Sequence, residues 1–461
     1  MTKMTREPSS YRDPSGYIFT HEGRLYRQVN QRFKKEFEHL VNSGCYRELV
    51  EQKKLIPHEQ LDINYTGETQ WYATLCPQLI PFISYAWEWS FNMLKDAALL
   101  TLNIQSSALK YGLSLKDATT CNIQFFQGRP VFIDSLSFEF YDDKKPWIAY
   151  RQFCEQFLAP LLLMHYRKLP LQELSLAYPE GIPLSIASRL LPFRSRLSIH
   201  CYLHIHLNAR VSKDSTGNAD KPITFNRKKM VDLISSLQLL VNNLNLKESP
   251  STWSTYYEEA SLRNNYLPHK KEIINNWINK IAPEIKNASD LGANDGEFSK
   301  LFANKGIPCL SADLDPNCID RLYQQVKKEN NPNLHPLIMD LSNPSPSIGV
   351  NNRERPSFLE RGSRDAVMAL ALIHHLSIGK NIPLDKIAFM FSTLCKKYLI
   401  IEFVPKEDEK IQFMLAQRED IFDSYDVETF ESAFSKEFII EEKMGVNDSS
   451  RILYLLHKKN S

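Results

Sequence analysis

Glycine is scarce in this sequence, at 15 of 461 residues, and charge of either sign is almost cancelled. The 56 Lys and Arg residues nearly balance the 54 Asp and Glu residues, so the formal net charge is only +2. This balance excludes a whole-protein basic field that would attract nucleic acid. The eight cysteines are scattered without a C-x-x-C pair, which is typical of reduced thiols rather than of disulfides or structural zinc.

Long hydrophobic runs are also missing. Stretches such as FLAPLLLMHY are too short to span a bilayer, or are interrupted by Pro and Glu. The polar start, MTKMTREPSS, lacks the apolar core of a signal peptide. We therefore expect a cytoplasmic protein with a small-molecule partner, favouring neither nucleic acid nor a membrane.

The length indicates two or three domains. A polar stretch at 211–222 is typical of a loop or linker, and helical spacing of apolar residues follows it. We predict an N-terminal, mainly helical α+β domain at 1–230, a helical bridge at 231–284 and a C-terminal α/β domain at 285–461.

The C-terminal third alternates short apolar runs with helical patterns, ending in two strand-like runs joined by the polar turn NDSS. This order predicts a doubly wound, seven-stranded parallel sheet whose last strand pair is antiparallel. Ligands of such sheets bind at the carboxyl ends of the strands. Asp290, Asp313 and Asp340 each follow a predicted strand.

The first of these strands leads into SDLGANDGEF, with Gly292, Asn294 and Gly296 in the loop. Together with LSADLDP and LIMDL, this segment resembles the first three motifs of class I S-adenosylmethionine-dependent methyltransferases, in the form D-x-G-x-N-x-G. The resemblance covers about 250–461 and implies a Rossmann-like fold with S-adenosylmethionine as cofactor. The residues that it implies for cofactor binding are Asp290, Gly292, Asn294, Gly296, Asp313, Asp340 and Leu341.

A dinucleotide-binding domain is the main alternative for this loop. It would favour G-x-G-x-x-G, since a pyrophosphate lies against the helix N-terminus. Here Asp295 and Glu297 stand at the start of the predicted helix. Two acids would repel a pyrophosphate and tolerate a cationic sulfonium, so we expect the methyltransferase type.

His374 and His375, just after the fourth strand, are the candidate catalytic residues. A neutral histidine there could accept the proton of a hydroxyl or amine acceptor, and the alternative is capping and packing. No N-P-P-Y or D-P-P-Y tetrapeptide follows the strand. Glu402 and Asp408, after the fifth strand, either bind substrate or belong to a solvated loop.

The N-terminal half has a second motif. Asp117 precedes Asn122 by five residues, and Asp134 follows a predicted hairpin after a helix that ends at Gly112. This order resembles the catalytic loop of protein-kinase-like and aminoglycoside-phosphotransferase-like folds, which implies hydroxyl activation and magnesium binding. The flanking residues depart from that pattern, so turn and cap roles stay open.

We therefore expect a methyltransferase that acts on an O or N nucleophile of a small molecule. Two alternative hypotheses remain for the whole chain. One is a bifunctional protein that also phosphorylates, and the other is a non-catalytic cofactor-binding scaffold. Three close histidines, His200, His204 and His206, lack a fitting fourth ligand, so we expect no metal site.

Overall fold

The computed structural model describes residues 4–210, 225–246, 265–416 and 419–459. The chain divides into two compact units. One unit comprises Met1–Glu248 and Ile348–Arg355, and the other comprises Ser249–Ser347 and Pro356–Ser461. The polar stretch predicted at 211–222 lies outside the described residues. Within the described ranges, no helix combines the length and the apolar character needed to cross a bilayer.

The first unit opens with an antiparallel sheet of five strands in the order β1-β2-β3-β5-β4. The strands are β1 (Thr5–Arg6), β2 (Gly16–His21), β3 (Arg24–Asn30), β4 (His58–Leu61) and β5 (Trp71–Pro77). Val29, Ala73 and Leu75 of this sheet are buried against Phe33 and Phe37.

The middle of this unit confirms the predicted helix and hairpin. The helix spans Phe91–Lys110, and the Ser90 side chain caps its start by accepting a hydrogen bond from Met93 N. Two short antiparallel pairs follow: β6 (Leu113–Leu115) with β9 (Phe138–Phe140), and β7 (Ile123–Phe126) with β8 (Arg129–Phe132). The other helices and helical turns of four or more residues are Lys34–Asn42, Cys45–Glu51, Tyr150–Phe153, Cys154–Leu158, Ala159–Arg167, Leu174–Ala177, Leu184–Leu190, Phe193–Leu197, Tyr202–Leu207 and Arg227–Asn243.

The second unit is built on a seven-stranded sheet, which confirms the predicted doubly wound architecture. Its strands are β10 (Ala288–Leu291), β11 (Cys309–Asp313), β12 (Leu334–Ile338), β13 (Arg364–Ala369), β14 (Cys395–Phe403), β15 (Phe438–Gly445) and β16 (Ile452–Lys458). The order is β12-β11-β10-β13-β14-β16-β15. The first five strands are parallel, and β16 is antiparallel to both of its neighbours.

Helices connect and cover these strands. Their bounds are Tyr266–Ile281, Ser299–Ala303, Pro316–Glu329, Phe358–Arg361, Ile373–Lys380, Leu384–Leu394, Glu409–Leu415 and Val427–Phe434. Pro316 stands at the first turn, where it costs no hydrogen bond, and Asp426 caps its helix through Thr429 N as expected. The central strands are apolar because helices cover both of their faces.

Two glycines of this unit adopt positive φ for different reasons. Gly296 has φ +76°, and a Cβ built on it would lie 2.6 Å from Leu322 Cδ1. Gly306 has φ +74°, with nothing within 4 Å of the equivalent Cβ position. Gly296 therefore meets both a backbone and a packing requirement, whereas Gly306 meets only the backbone requirement.

Alanine variants of Gly306 and Gly296 separate the backbone requirement from the packing requirement. Gly306→Ala should lower the free energy of unfolding by about 1 kcal/mol, the cost of a left-handed backbone for a residue with a Cβ. Gly296→Ala should cost a further 1–3 kcal/mol or so, because Leu322 must move. Denaturant unfolding of both variants measures the difference, and equal losses would contradict the packing role of Gly296.

Candidate functional site

A cleft of about 950 Å³, counting its open mouth, lies at the carboxyl ends of β10 to β13. This is where the chain order reverses, because β11 and β13 flank β10 on opposite sides. Three carboxylates line the cleft, those of Asp290, Asp313 and Asp340. Its apolar walls include Leu314, Met339, Leu341, Leu370 and Leu372. An acidic floor between apolar walls suits a flat ligand that carries positive charge or hydroxyl groups.

Asp313 ends β11 and ties the glycine loop to the sheet. Its Oδ2 accepts a hydrogen bond from Asn294 N at 2.8 Å, and its Oδ1 accepts one from Asp315 N at 2.8 Å. Burial raises the pKa of Asp313 to about 6, against these two hydrogen bonds, which favour the ionised form. Each carboxylate oxygen has further acceptor capacity, so Asp313 can still take donors from the cleft.

Asp290 lies deeper, in β10, and is only 2% exposed. Ser299 Oγ donates a hydrogen bond to its Oδ2 at 2.6 Å. Burial raises the pKa of Asp290 to about 7, and the charge of Asp313 adds to this rise. A cation bound in the cleft would favour the ionised forms of Asp290 and Asp313.

The loop residues differ in their relation to the cleft. Gly292, with φ +81°, lines it, and a Cβ there would lie 3.4 Å from Leu372. Asn294 also lines it, in a left-handed conformation with φ +50°. Gly296 does not line the cleft, because the side of its α-carbon where a Cβ would stand packs against Leu322. Asp340 lines the cleft and accepts hydrogen bonds from Ser342 N and Oγ.

The acids at the helix start both form ion pairs. Asp295 is ion-paired with Arg321 at 2.8 Å, and Glu297 is ion-paired with Lys271. Neither acid lines the cleft. Neighbouring cations pair with both acids, so the repulsion of a pyrophosphate by these two residues stays a prediction. The acidic character of the cleft comes from the strand ends instead.

The two candidate histidines lie in the helix Ile373–Lys380, with ring centroids 3.9 Å apart. His375 lines the cleft, and His374 is buried behind it. Burial, with a smaller contribution from Arg451, lowers the pKa of His375 to about 4. Burial also holds the pKa of His374 well below its usual value, and the charges of His375 and Arg451 act in the same direction. Both rings are neutral at neutral pH.

A buried charge network beside the cleft was not foreseen. Lys270 Nζ, which lines the cleft, lies 2.6 Å from Glu402 Oε2, and both side chains are almost fully buried. Tyr266 donates a hydrogen bond to Glu402 Oε1 at 3.0 Å. Arg451 contacts Tyr266 and forms an ion pair of 2.8 Å with Asp408. The alternative of a solvated loop for Glu402 and Asp408 is therefore wrong.

The sequence did carry a signal for Lys270. The buried face of its helix comprises Tyr266, Lys270, Ile273, Ile274, Trp277, Ile278 and Ile281. A lysine four residues after Tyr266 on an otherwise apolar stripe predicts a buried ammonium group, and buried charges require partners. Its ion-pair partner, Glu402, lies more than a hundred residues away in sequence, so the motif pattern could not identify it.

Two of the three residues of the kinase-like motif in the first unit, Asn122 and Asp134, belong to one hydrogen-bonded cluster. Asp134 is ion-paired with Arg27 of β3 and accepts a hydrogen bond from Ser137 Oγ at 2.6 Å. Asn122 Nδ2 donates to Ser137 Oγ at 3.0 Å. Burial raises the pKa of Asp117, and the Asp134 charge contributes to this rise. Asp134 and Asn122 thus both have partners within the protein.

The close histidines are likewise bonded to neighbours. His204 lies 2.8 Å from both Tyr150 Oη and Ser236 Oγ, and His206 lies 2.8 Å from Ser188 and from Ser195. Within the residues that the structure describes, no group of three or more His, Cys, Asp or Glu side chains could hold a metal ion.

The strand order, the antiparallel β16 and the cleft at the reversal point define the fold of the class I S-adenosylmethionine-dependent methyltransferases. The chain is 33% identical to nodulation protein NoeA of Rhizobium meliloti (strain 1021) over 463 residues, which cover 98% of this chain and 96% of that protein. It therefore belongs to the NoeA family. No family model matches the sequence.

Solved methyltransferase structures align with part of the chain. Magnesium protoporphyrin IX methyltransferase (ChlM) from Synechocystis PCC 6803 is 13% identical, covering 45% of this chain and 95% of its own, with a TM-score of 0.31. A SAM-dependent methyltransferase from Aquifex aeolicus is 16% identical, covering 46% of this chain and 100% of its own, with a TM-score of 0.30.

The raised pKa of Asp290 predicts a pH-dependent stability. An acid whose pKa is raised by folding stabilises the folded state below its unfolded pKa, and this stability is lost as the pH rises through the folded value. The contribution of Asp290 to the free energy of unfolding should therefore fall between about pH 4 and pH 7, by a few kcal/mol at most.

Asp290→Asn should remove this contribution, so the stability of the unaltered protein relative to this variant should fall from pH 4 to pH 7, while its stability relative to the exposed Asp143→Asn should not change with pH. Denaturant unfolding of the three proteins at a series of pH values makes the comparison. A stability difference between the unaltered protein and Asp290→Asn that does not change with pH would show that folding does not raise the pKa of Asp290.

Proposed function

We propose that this protein is an S-adenosylmethionine-dependent methyltransferase that acts on an oxygen or nitrogen nucleophile of a small molecule. The observation that carries the proposal is the Asp313 carboxylate. It ends β11, is oriented by two backbone N–H groups and lines the cleft at the reversal point of the sheet. A carboxylate so placed can accept hydrogen bonds from both hydroxyls of a ribose.

The lining residues fit the remaining parts of this cofactor. Asp340 can accept a hydrogen bond from the adenine amino group, and Leu341 and Met339 provide apolar surface for the ring. Gly292 and Asn294 bring the backbone close to the ligand, and Gly296 shapes the loop by packing on Leu322. When bound, the cofactor supplies a methyl group already activated by a sulfonium charge.

Asp290 favours a cationic ligand over an anionic one. Its burial makes the ionised carboxylate costly, and the charge of Lys270 reduces that cost only in part. A positive charge near Asp290 would shift its pKa back towards the usual value of an aspartate. A pyrophosphate in the same cleft would add negative charge beside three carboxylates, and of the two lysines that line the cleft, Lys270 and Lys380, the first is already paired with Glu402. The acids that line the cleft thus favour the sulfonium nucleoside over a dinucleotide.

His375 is the proposed acceptor for the proton that the nucleophile loses. It lines the cleft, and its neutral ring can accept a hydrogen bond from a hydroxyl or an amine, although burial lowers its pKa to about 4 and so weakens it as a base. His374 packs against His375 and orients it. Alignment of the nucleophile with the methyl group would supply most of the rate enhancement.

A small-molecule substrate is favoured by the near-neutral charge of the chain. We do not extend the proposal to phosphotransfer by the first unit. Asp134 would have to exchange its ion pair with Arg27 for a metal ion, and Asn122 would have to release Ser137.

Calorimetric titration with S-adenosylhomocysteine tests the cofactor site. Asp313→Asn should weaken binding by about 10- to 100-fold, because an amide has one acceptor oxygen where the carboxylate has two. Asp295→Asn is the matched control from the same loop, and its affinity should stay within about twofold since Asp295 pairs with Arg321 outside the cleft. Absence of binding to the unaltered protein, or equal losses in both variants, would contradict the proposal.

Methyl transfer from labelled S-adenosylmethionine to a panel of hydroxyl and amine acceptors separates an enzyme from a scaffold. With an accepted substrate, His375→Ala should lower kcat by about 100-fold or more, leaving the cofactor affinity nearly unchanged. In the pH dependence of kcat, the titration of His375 should appear near pH 4 and not near pH 6.5. A protein that binds the cofactor but methylates no acceptor would favour the scaffold alternative.

A further inference from the structure

One surface of the first unit exposes apolar side chains in unusual density. It consists of the exposed residues of the segment Leu184–Arg210, and we call it the 184–210 surface. Its exposed apolar members are Leu190, Phe193, Leu197, Ile199, Leu203 and Leu207. Phe193, Leu197 and Ile199 are 74%, 78% and 68% exposed. Side chains that protrude to this degree gain nothing from folding, so they require another explanation.

The charge of the same segment is of one sign. Arg189, Arg194, Arg196 and Arg210 are all exposed. No Asp or Glu occurs anywhere between Glu180 and Asp214, although acids are almost as numerous as bases in the chain as a whole. The protein thus concentrates on this segment a local positive charge that its net charge conceals.

The backbone places these side chains along one run. The helical turn Phe193–Leu197 leads into the helical segments Ile199–Cys201 and Tyr202–Leu207. Ile199, Leu203 and Leu207 follow each other at four-residue spacing, which places them on one side of a helix. The opposite side is buried, with Cys201, Ile205 and Ala209 in the core.

A neighbouring helix end extends the surface. Arg167 donates a hydrogen bond to the Leu190 carbonyl oxygen at 2.7 Å, and Arg194 lies over the Tyr166 ring. These contacts place Lys168 and Leu169, which are both exposed, at the edge of the 184–210 surface. Basic and apolar side chains therefore alternate over the whole area.

We propose that the 184–210 surface binds the protein peripherally to a membrane that contains anionic lipids. Protruding apolar side chains can enter the boundary between headgroups and acyl chains, while arginines stay at the level of the lipid phosphates. This arrangement explains why apolar exposure coincides with the lack of acids.

This inference departs from the sequence-based expectation that favoured no membrane. That expectation was based on the lack of membrane-spanning segments and on the small net charge. Neither property reveals a surface that combines exposed apolar side chains with positive charge. The inference is independent of the proposed methyltransferase activity, since the residues belong to the other unit.

Co-sedimentation of the full chain with lipid vesicles provides the test. We expect binding to vesicles of phosphatidylcholine and phosphatidylserine in equal parts, little binding to phosphatidylcholine alone, and loss of binding at high salt. Arg189→Gln/Arg196→Gln should lower the partition coefficient about tenfold or more. Phe193→Ser/Leu197→Ser should lower it comparably.

Controls come from exposed apolar residues elsewhere. Ile148→Ser, at 67% exposure, and Phe389→Ser, at 63%, should bind vesicles like the unaltered protein. A Phe193→Trp variant should show a blue-shifted emission band with anionic vesicles only, which reports insertion directly. The arginine variant changes only exposed side chains, so it tests the proposal even if the apolar variant fails to fold.

Three results would overturn the proposal. The first is no binding of the unaltered protein to anionic vesicles. The second is binding that both surface variants retain. The third is a self-associating protein that Phe193→Ser/Leu197→Ser converts to monomers by light scattering without any vesicle binding, which would assign the surface to a second copy of the chain.

Discussion

The ion pair between Lys270 and Glu402 joins the helix Tyr266–Ile281 to β14 inside the second unit. Both charges are withdrawn from water, so each depends on the other and on Tyr266 and Arg451 around them. Arg451 in turn holds Asp408, which caps the next helix. This network fixes one wall of the cleft, because Lys270 itself lines it.

The network also sets the electrostatics of the cleft. Positive charge on Lys270 and Arg451 helps to keep His374 neutral, and burial does most of this work. Asp290 and Asp313 are also buried, and they lie close enough for the charge of Asp313 to disfavour ionisation of Asp290. The cleft thus combines neutral imidazoles with carboxylates that are costly to ionise, a combination suited to a cationic ligand.

The residues of the glycine loop have two different roles. Gly292 and Asn294 reach the cleft, whereas Gly296 faces Leu322 and Asp295 pairs with Arg321. A motif therefore mixes ligand-facing and packing residues, which look alike in a sequence. The motif resemblance correctly indicated the fold, and the charge argument that accompanied it depended on residues that point elsewhere.

The sequence by itself determined the order of the strands and the carboxylates at their ends. Alternating apolar runs, Pro316 and Asp426 at helix starts and the NDSS turn are local signals, and local signals are readable in a chain. Only the tertiary structure decided which charges meet. Lys270 with Glu402, Asp134 with Arg27 and the one-sided 184–210 surface depend on burial and long-range packing, because a side chain's partner is set by the fold rather than by its sequence neighbours.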